Sequence, residues 1–264
     1  MVRVVSLILA PIVIWLWNYA PPQELGLTGV GGAPSVSSAM SFVQFALGDS
    51  GNEGNCDSNV TGCPTPNFTS SVGSGHMIAV CGEWAIASGN TGNSLSSVTD
   101  TLSNSFTVVS ATKEVVDTTT DYGEIGVECA YSTTGNGGTD AVTCTFAKAL
   151  ETKLCAAWEL SGQQSSPLDQ TSVGTGTTST TISAGTVTTT HNGEIAITAG
   201  IDDDGNGGAT MTAGSGWTKD GSQAAGDFLA GAEHIAQTSS GNLTGSYTTN
   251  KTPHDSAAAM FTFY

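Results

Sequence analysis

The chain has 264 residues, 34 of them glycine, with only 11% charged residues and a formal net charge of −17. Its one arginine is Arg3, so a bidentate guanidinium grip on phosphate is denied to everything downstream, and nucleic acid is not an expected partner. That acidity favours solubility, with cations or basic protein surfaces as the complementary partners.

From position 4 to 20 the sequence is apolar except for Ser6 and Asn18. Seventeen helical residues span about 25 Å, short but sufficient for one membrane crossing. Trp15, Trp17 and Tyr19 match the aromatic girdle at a lipid–water boundary, and Arg3 at the other end favours a cytoplasmic N-terminus. A cleaved signal is the competing reading, but Asn18 and Pro21 flank the only small residue well placed for a cut, Ala20. The expectation is therefore a retained transmembrane helix over 1–20 that meets the bilayer through 4–20. Residues 21–40, opening PPQELGLTGVGGAP, follow as a Pro/Gly/Ser-rich linker without periodicity.

Beyond the linker, 41–264 reads as one domain of short strands separated by turn clusters, with no internal repeat and no second boundary. The clearest strand is EIGVECAY, where Ile125, Val127, Cys129 and Tyr131 share one face. In AVTCTF, Val142, Cys144 and Phe146 alternate with threonines, and the intervening Asn136-Gly137 predicts a hairpin. Further strands are expected at 41–47, 105–110, 193–201, 227–237, 243–249 and 256–264. Their number, and the scarcity of helical periodicity, predict an all-β fold: a single jelly-roll-like β-sandwich behind an N-terminal transmembrane helix.

Six cysteines behind an apolar N-terminus indicate an oxidising compartment and up to three disulfides, since no CxxC pair supports a zinc site. The hairpin places Cys129 opposite Cys144. If the strands that carry them are neighbours, Cys81 can pair with Cys155, and Cys56 would then close a short loop to Cys63, one of fifteen possible connectivities.

For metal, the stretch DDDGNGG sets Asp202, Asp204 and Asn206 at alternate positions before Gly207, the first half of a calcium loop lacking its closing glutamate. Asp49, Glu53 and Asp57 form a second acidic group. The histidines at 76, 191, 234 and 254 show no metal-centre spacing. GDSGN at 48–52 matches a serine-protease nucleophile segment, yet no histidine precedes Ser50 as that chain order requires. Glu83 and Glu159 stand beside Trp84 and Trp158, a pairing open to a sugar platform or to plain core packing.

The phrases SSVTDTLSNSFTVV (96–109), AWELSG (157–162), TAGSGWT (212–218), AEHIAQT (232–238) and the closing AAAMFTF resemble a loosely defined domain of bacterial surface and phage structural proteins. The resemblance covers about residues 41–264 and implies a jelly-roll-like sandwich used for display, adhesion or assembly, with no catalytic residues to transfer. The expected function is non-enzymatic. The chain would be a membrane-anchored accessory subunit that braces or caps a larger complex on its periplasmic or extracellular side, with no cofactor except Ca²⁺ at the DDDGNGG stretch. A glycan or cell-wall binding module, and a filament or virion component, are the alternatives.

Overall fold

The computed structural model describes residues 39–49, 56, 60–87, 91–117, 122–150, 152–203, 209–225, 228–251 and 255–264. These belong to one compact unit, Ser37–Tyr264, and they hold strands and no helix. The first eight strands are β1 (Ser41–Asp49), β2 (Val60–Pro64), β3 (Met77–Ala87), β4 (Leu95–Asp100), β5 (Phe106–Val116), β6 (Tyr122–Ser132), β7 (Val142–Leu150) and β8 (Thr152–Ser161). Eight more follow: β9 (Leu168–Thr177), β10 (Thr181–Thr188), β11 (Ile195–Asp202), β12 (Met211–Ala213), β13 (Thr218–Ala225), β14 (Phe228–Ala236), β15 (Asn242–Thr249) and β16 (Asp255–Phe263).

The strands form four sheets rather than the two of a single sandwich. The first eight give a five-stranded sheet in the order β1-β8-β3-β6-β5 and a three-stranded one, β2-β7-β4. The second eight give β9-β16-β11-β14-β13 and β10-β15-β12, the same two orders displaced by eight strands. The fold is therefore a duplication, which the sequence reading missed.

Register extends the equivalence to single residues. Phe45 lies opposite Trp158 as Thr171 lies opposite Phe261, which aligns FVQFALG (42–48) with LDQTSVG (168–174). Gly48 and Gly174 then occupy one position. A Cβ on Gly48 would sit 2.2 Å from the Pro64 carbonyl oxygen, and one on Gly174 would sit 2.3 Å from that of Ser183. Gly75 and Gly193 likewise precede β3 and β11 at φ 83° and 74°, a conformation that favours glycine. Between these landmarks the two halves share little identity, so self-similarity is invisible without the ladder register.

Three apolar layers hold the four sheets together. One joins β2-β7-β4 to the first five-stranded sheet through Val80, Trp84, Phe146 and Leu150. Another joins the second pair of sheets through Ile182, Met211, Leu229 and Tyr247. Between them the two five-stranded sheets meet face to face, with Met77, Ile125 and Trp158 on one side and Ile197, Phe261 and Phe263 on the other. At one edge β1 lies against β13 and β14, at the other β5 against β9 and β16, with β3 over β11 in the centre, as a two-fold relation between halves would produce.

This layering explains the composition of the strands. β8, β11 and β16 are covered on both faces, so they are buried almost end to end and read as continuous apolar runs such as LCAAWEL and SAAAMF. β15 has one wet face and alternates instead.

The cysteine pairing departs from expectation for the same reason. β6 does not form a hairpin with β7: it pairs with β3 and β5, while β7 pairs with β2 and β4 in the other sheet. The 133–141 connection crosses between sheets, and Gly138 exchanges backbone hydrogen bonds with Val72. Cys129 and Cys144 do face inward, but into different layers. Cys129 meets Cys81, its direct partner on β3, and Cys144 bridges to Cys155 across the layer between β7 and β8; only Cys56–Cys63 forms as expected. Cys81 and Cys155 sit on neighbouring strands with opposite orientations and cannot bond.

Candidate functional site

Buried polar clusters recur at corresponding places in the two halves, where the first strand of each bulges beside the last. In the first half, Glu159 on β8 is entirely buried. Its Oε1 accepts a hydrogen bond from the Gly73 amide at 2.7 Å and lies 2.6 Å from His76 Nδ1, while Oε2 accepts from the Gln44 amide. Gln44 Oε1 accepts in turn from the Ser70 amide and the Thr69 hydroxyl. Every oxygen of this carboxylate is thus served, and the cluster pins the 65–76 connection to the sheet.

In the second half the positions are the same and the chemistry is not. Gln170 replaces Gln44, Glu194 replaces His76, Thr262 replaces Glu159, and Asp169 stands where the first half has exposed Val43. Glu194, 1% exposed, accepts the His191 amide on Oε1 at 2.7 Å. Its Oε2 is buried and has no partner that meets hydrogen-bond geometry. Asp169 accepts from the Thr190 hydroxyl and amide at 2.6 and 2.8 Å and from the Gln170 side chain at 3.2 Å. His191 Nδ1 lies 3.8 Å from Asp169 Oδ1 and 3.7 Å from Glu194 Oε1. Burial raises the Glu194 carboxyl above its ordinary pKa against the His191 amide and Thr262 hydroxyl, and neighbouring Asp169 adds to the rise. Burial acts on Asp169 too, but hydrogen bonds from Thr190 and Gln170 outweigh it and hold that carboxyl below its ordinary value.

The imidazole is fixed from its other side. Tyr264 stacks on His191 with ring centroids 3.6 Å apart and planes 6° from parallel. Tyr264 is itself tied down, its amide donating to the Pro167 carbonyl and its carbonyl accepting from the Gln164 amide, both at 2.9 Å. Gln164, His191, Asn192 and Tyr264 line an open cavity of about 330 Å³ beside the cluster.

The remaining sequence-predicted residues fall elsewhere. Trp15, Trp17 and Tyr19, with the whole anchor and linker up to residue 38, lie outside the described residues, as do Asp204 and Asn206 of the calcium reading. Asp202 is described, at the buried end of β11. Among the described residues no helix is long and apolar enough to cross a membrane. Asp49 ends β1, buried, whereas Ser50, Glu53, Asp57 and His254 lie outside the described residues.

Glu83 and Glu159 do not form a hydrolytic pair. Glu159 is opposite Ile78 on β3, five residues from Glu83, or about 16 Å along a strand, well beyond the roughly 5–9.5 Å that glycoside hydrolysis requires. Trp84 and Trp158 are wholly buried, their ring N–H groups donating to Glu124 and Asp220. His234 pairs with Asp220 at 2.7 Å and stacks on Phe42, while Glu233 points the other way, as strand alternation predicts.

Sequence reasoning passed over Asp169, His191 and Glu194. The HxxE spacing was visible, but Asp169 reaches the cluster only because β9 lies beside β16. No family model, curated protein or solved structure matches this chain.

Proposed function

We propose that this chain is a membrane-tethered structural protein: residues 1–20 anchor it, 21–40 form a spacer, and the four-layer body braces or caps a larger assembly outside the cytoplasm. Each half is read as a jelly-roll derivative, with the 1-8-3-6 and 2-7-4 strand neighbours of that fold and its fifth strand moved beside the sixth. The observation that carries the reading is the placement of the cystines. All three lie in the half that follows the spacer, and Cys144–Cys155 ties an outer sheet to a central one. A body loaded through its N-terminal tether needs its covalent reinforcement there, and disulfides persist in oxidising compartments.

The buried tryptophans support this reading over glycan binding. Trp84, Trp158 and Trp217 are packed into cores with their ring nitrogens committed, whereas a sugar platform presents such rings to solvent. Lipid and protein subunits are the partners in this reading, and nucleic acid is not.

The test is purification in mild detergent followed by cross-linking mass spectrometry. A stable set of co-migrating membrane or envelope proteins, cross-linked to the body, is the expected result. A lone, water-soluble protein that starts at residue 21 or later contradicts the proposal.

A further inference from the structure

The two polar clusters supply an internal comparison. In the first half one buried carboxylate is matched by a histidine, an amide side chain and a backbone N–H. In the second half two carboxylates and one imidazole converge, and Oε2 of the better-buried acid has no hydrogen bond of good geometry, the carboxyl being approached only loosely by Thr262 and Asp169. Turn capping accounts for Asp169, through Thr190, and for Glu194 Oε1, through His191. It gives Glu194 Oε2 no well-formed partner, and it does not account for bringing a second acid to a position that holds valine in the other half.

We propose that Asp169, His191 and Glu194 bind a first-row divalent transition metal, with a fourth coordination position open towards the cavity lined by Gln164, Asn192 and Tyr264. The donor atoms all lie within 4.8 Å of one another, and Nδ1 is 3.7–3.8 Å from a donor oxygen of each acid. A tetrahedral ion with bonds of about 2.0–2.2 Å sets its donors about 3.3–3.6 Å apart, so the imidazole closes on each acid by a few tenths of an ångström, and the two acids on each other by about 1.5 Å at most, to complete the site. Calcium and magnesium prefer all-oxygen shells, whereas the imidazole selects zinc, cobalt, nickel or copper. The supporting groups are in place: Thr190 and Gln170 orient Asp169, and stacked Tyr264 holds the ring plane that presents Nδ1 to the acids. On binding, Nδ1 exchanges its contact with the Thr190 hydroxyl, now 3.0 Å, for the metal.

The inference is independent of the tether and of the proposed structural role. The full chain in detergent is stripped with chelator, then titrated with Zn²⁺ calorimetrically and with Co²⁺ by visible absorption. One ion per chain, the intense d–d bands of four-coordinate cobalt, and at least a tenfold loss of affinity in both His191→Ala and Asp169→Asn are expected. The His191 side chain is 43% exposed, so its removal leaves the body folded, which a chelator-treated melt of each variant checks. Affinity unchanged in both variants overturns the assignment, as does failure of the native chain to bind either ion. Displacement of Co²⁺ by equimolar Ca²⁺ overturns it as well.

Discussion

Glu233 shows how a single buried acid sets the pH response of the body. It lies in β14 with Oε2 accepting from the Gly214 amide at 2.9 Å, and burial raises its pKa from the ordinary 4.5 to about 8. Because the folded state holds this proton more tightly than the unfolded chain, the contribution is complete below about pH 4.5 and is lost as pH climbs through 8. Glu83, buried between the central sheets, is raised by the same cause and acts in the same direction. Denaturant unfolding between pH 5 and 8.5 is therefore expected to show stability falling with pH, by up to ~1.4 kcal/mol per pH unit from Glu233 alone. Glu233→Gln, which keeps an acceptor for Gly214, flattens that part of the slope; an unchanged profile in the variant contradicts the assignment. The paired glycines offer a second test. Gly48→Ala and Gly174→Ala each drive a methyl into a backbone carbonyl that cannot swing aside, and each should cost about 2 kcal/mol or more in thermal or chemical unfolding. If one is tolerated and the other is not, the two positions are not equivalent.

Strands were legible where apolar residues alternate with polar or small ones, even in β6, whose two faces are both buried. The alternation in 124–131 and 142–146 placed β6 and β7, and gave the correct inward residues of each. What periodicity could not supply was which layer an inward residue enters, because a four-sheet stack has three interiors and a side chain's direction names none of them. Asn136-Gly137 misled for a related reason. Asn136 donates its backbone amide to Asn104 Oδ1 and its side-chain amide to the Leu102 carbonyl, so tertiary contacts with the 100–104 turn, rather than a hairpin, occupy this dipeptide. The metal cluster was equally out of reach, since a partner strand brings Asp169 to His191. The observed connectivity has a mechanical consequence. Cys81–Cys129 removes a sequence separation of 48 from the extensible chain, or roughly 160 Å of contour at ~3.4 Å per residue. Single-molecule stretching should show that length appear only after reduction, and equal extensions with and without reductant would contradict the pairing.

At the scale of the whole molecule, duplication lets two thin sandwiches share a third apolar layer, and so bury surfaces that neither could cover alone. The central layer is rich in alanine, with Ala79 and Ala156 on one sheet and Ala199 and Ala259 on the other packed among larger side chains such as Trp158 and Phe261. Composition announced the small residues but not their purpose. Such a body is layered, covalently reinforced in its first half and strongly acidic overall. These properties suit a part that is held on a tether and pressed against others, and they make the covalent state of the natural protein decisive. Non-reducing peptide mapping by mass spectrometry, on protein extracted from membranes, reads that state in one measurement. The account predicts a peptide from within residues 1–20 still attached, together with cystine peptides joining 56 to 63, 81 to 129 and 144 to 155. A mature chain beginning at residue 21 or later, or free thiols at these six positions, would contradict it.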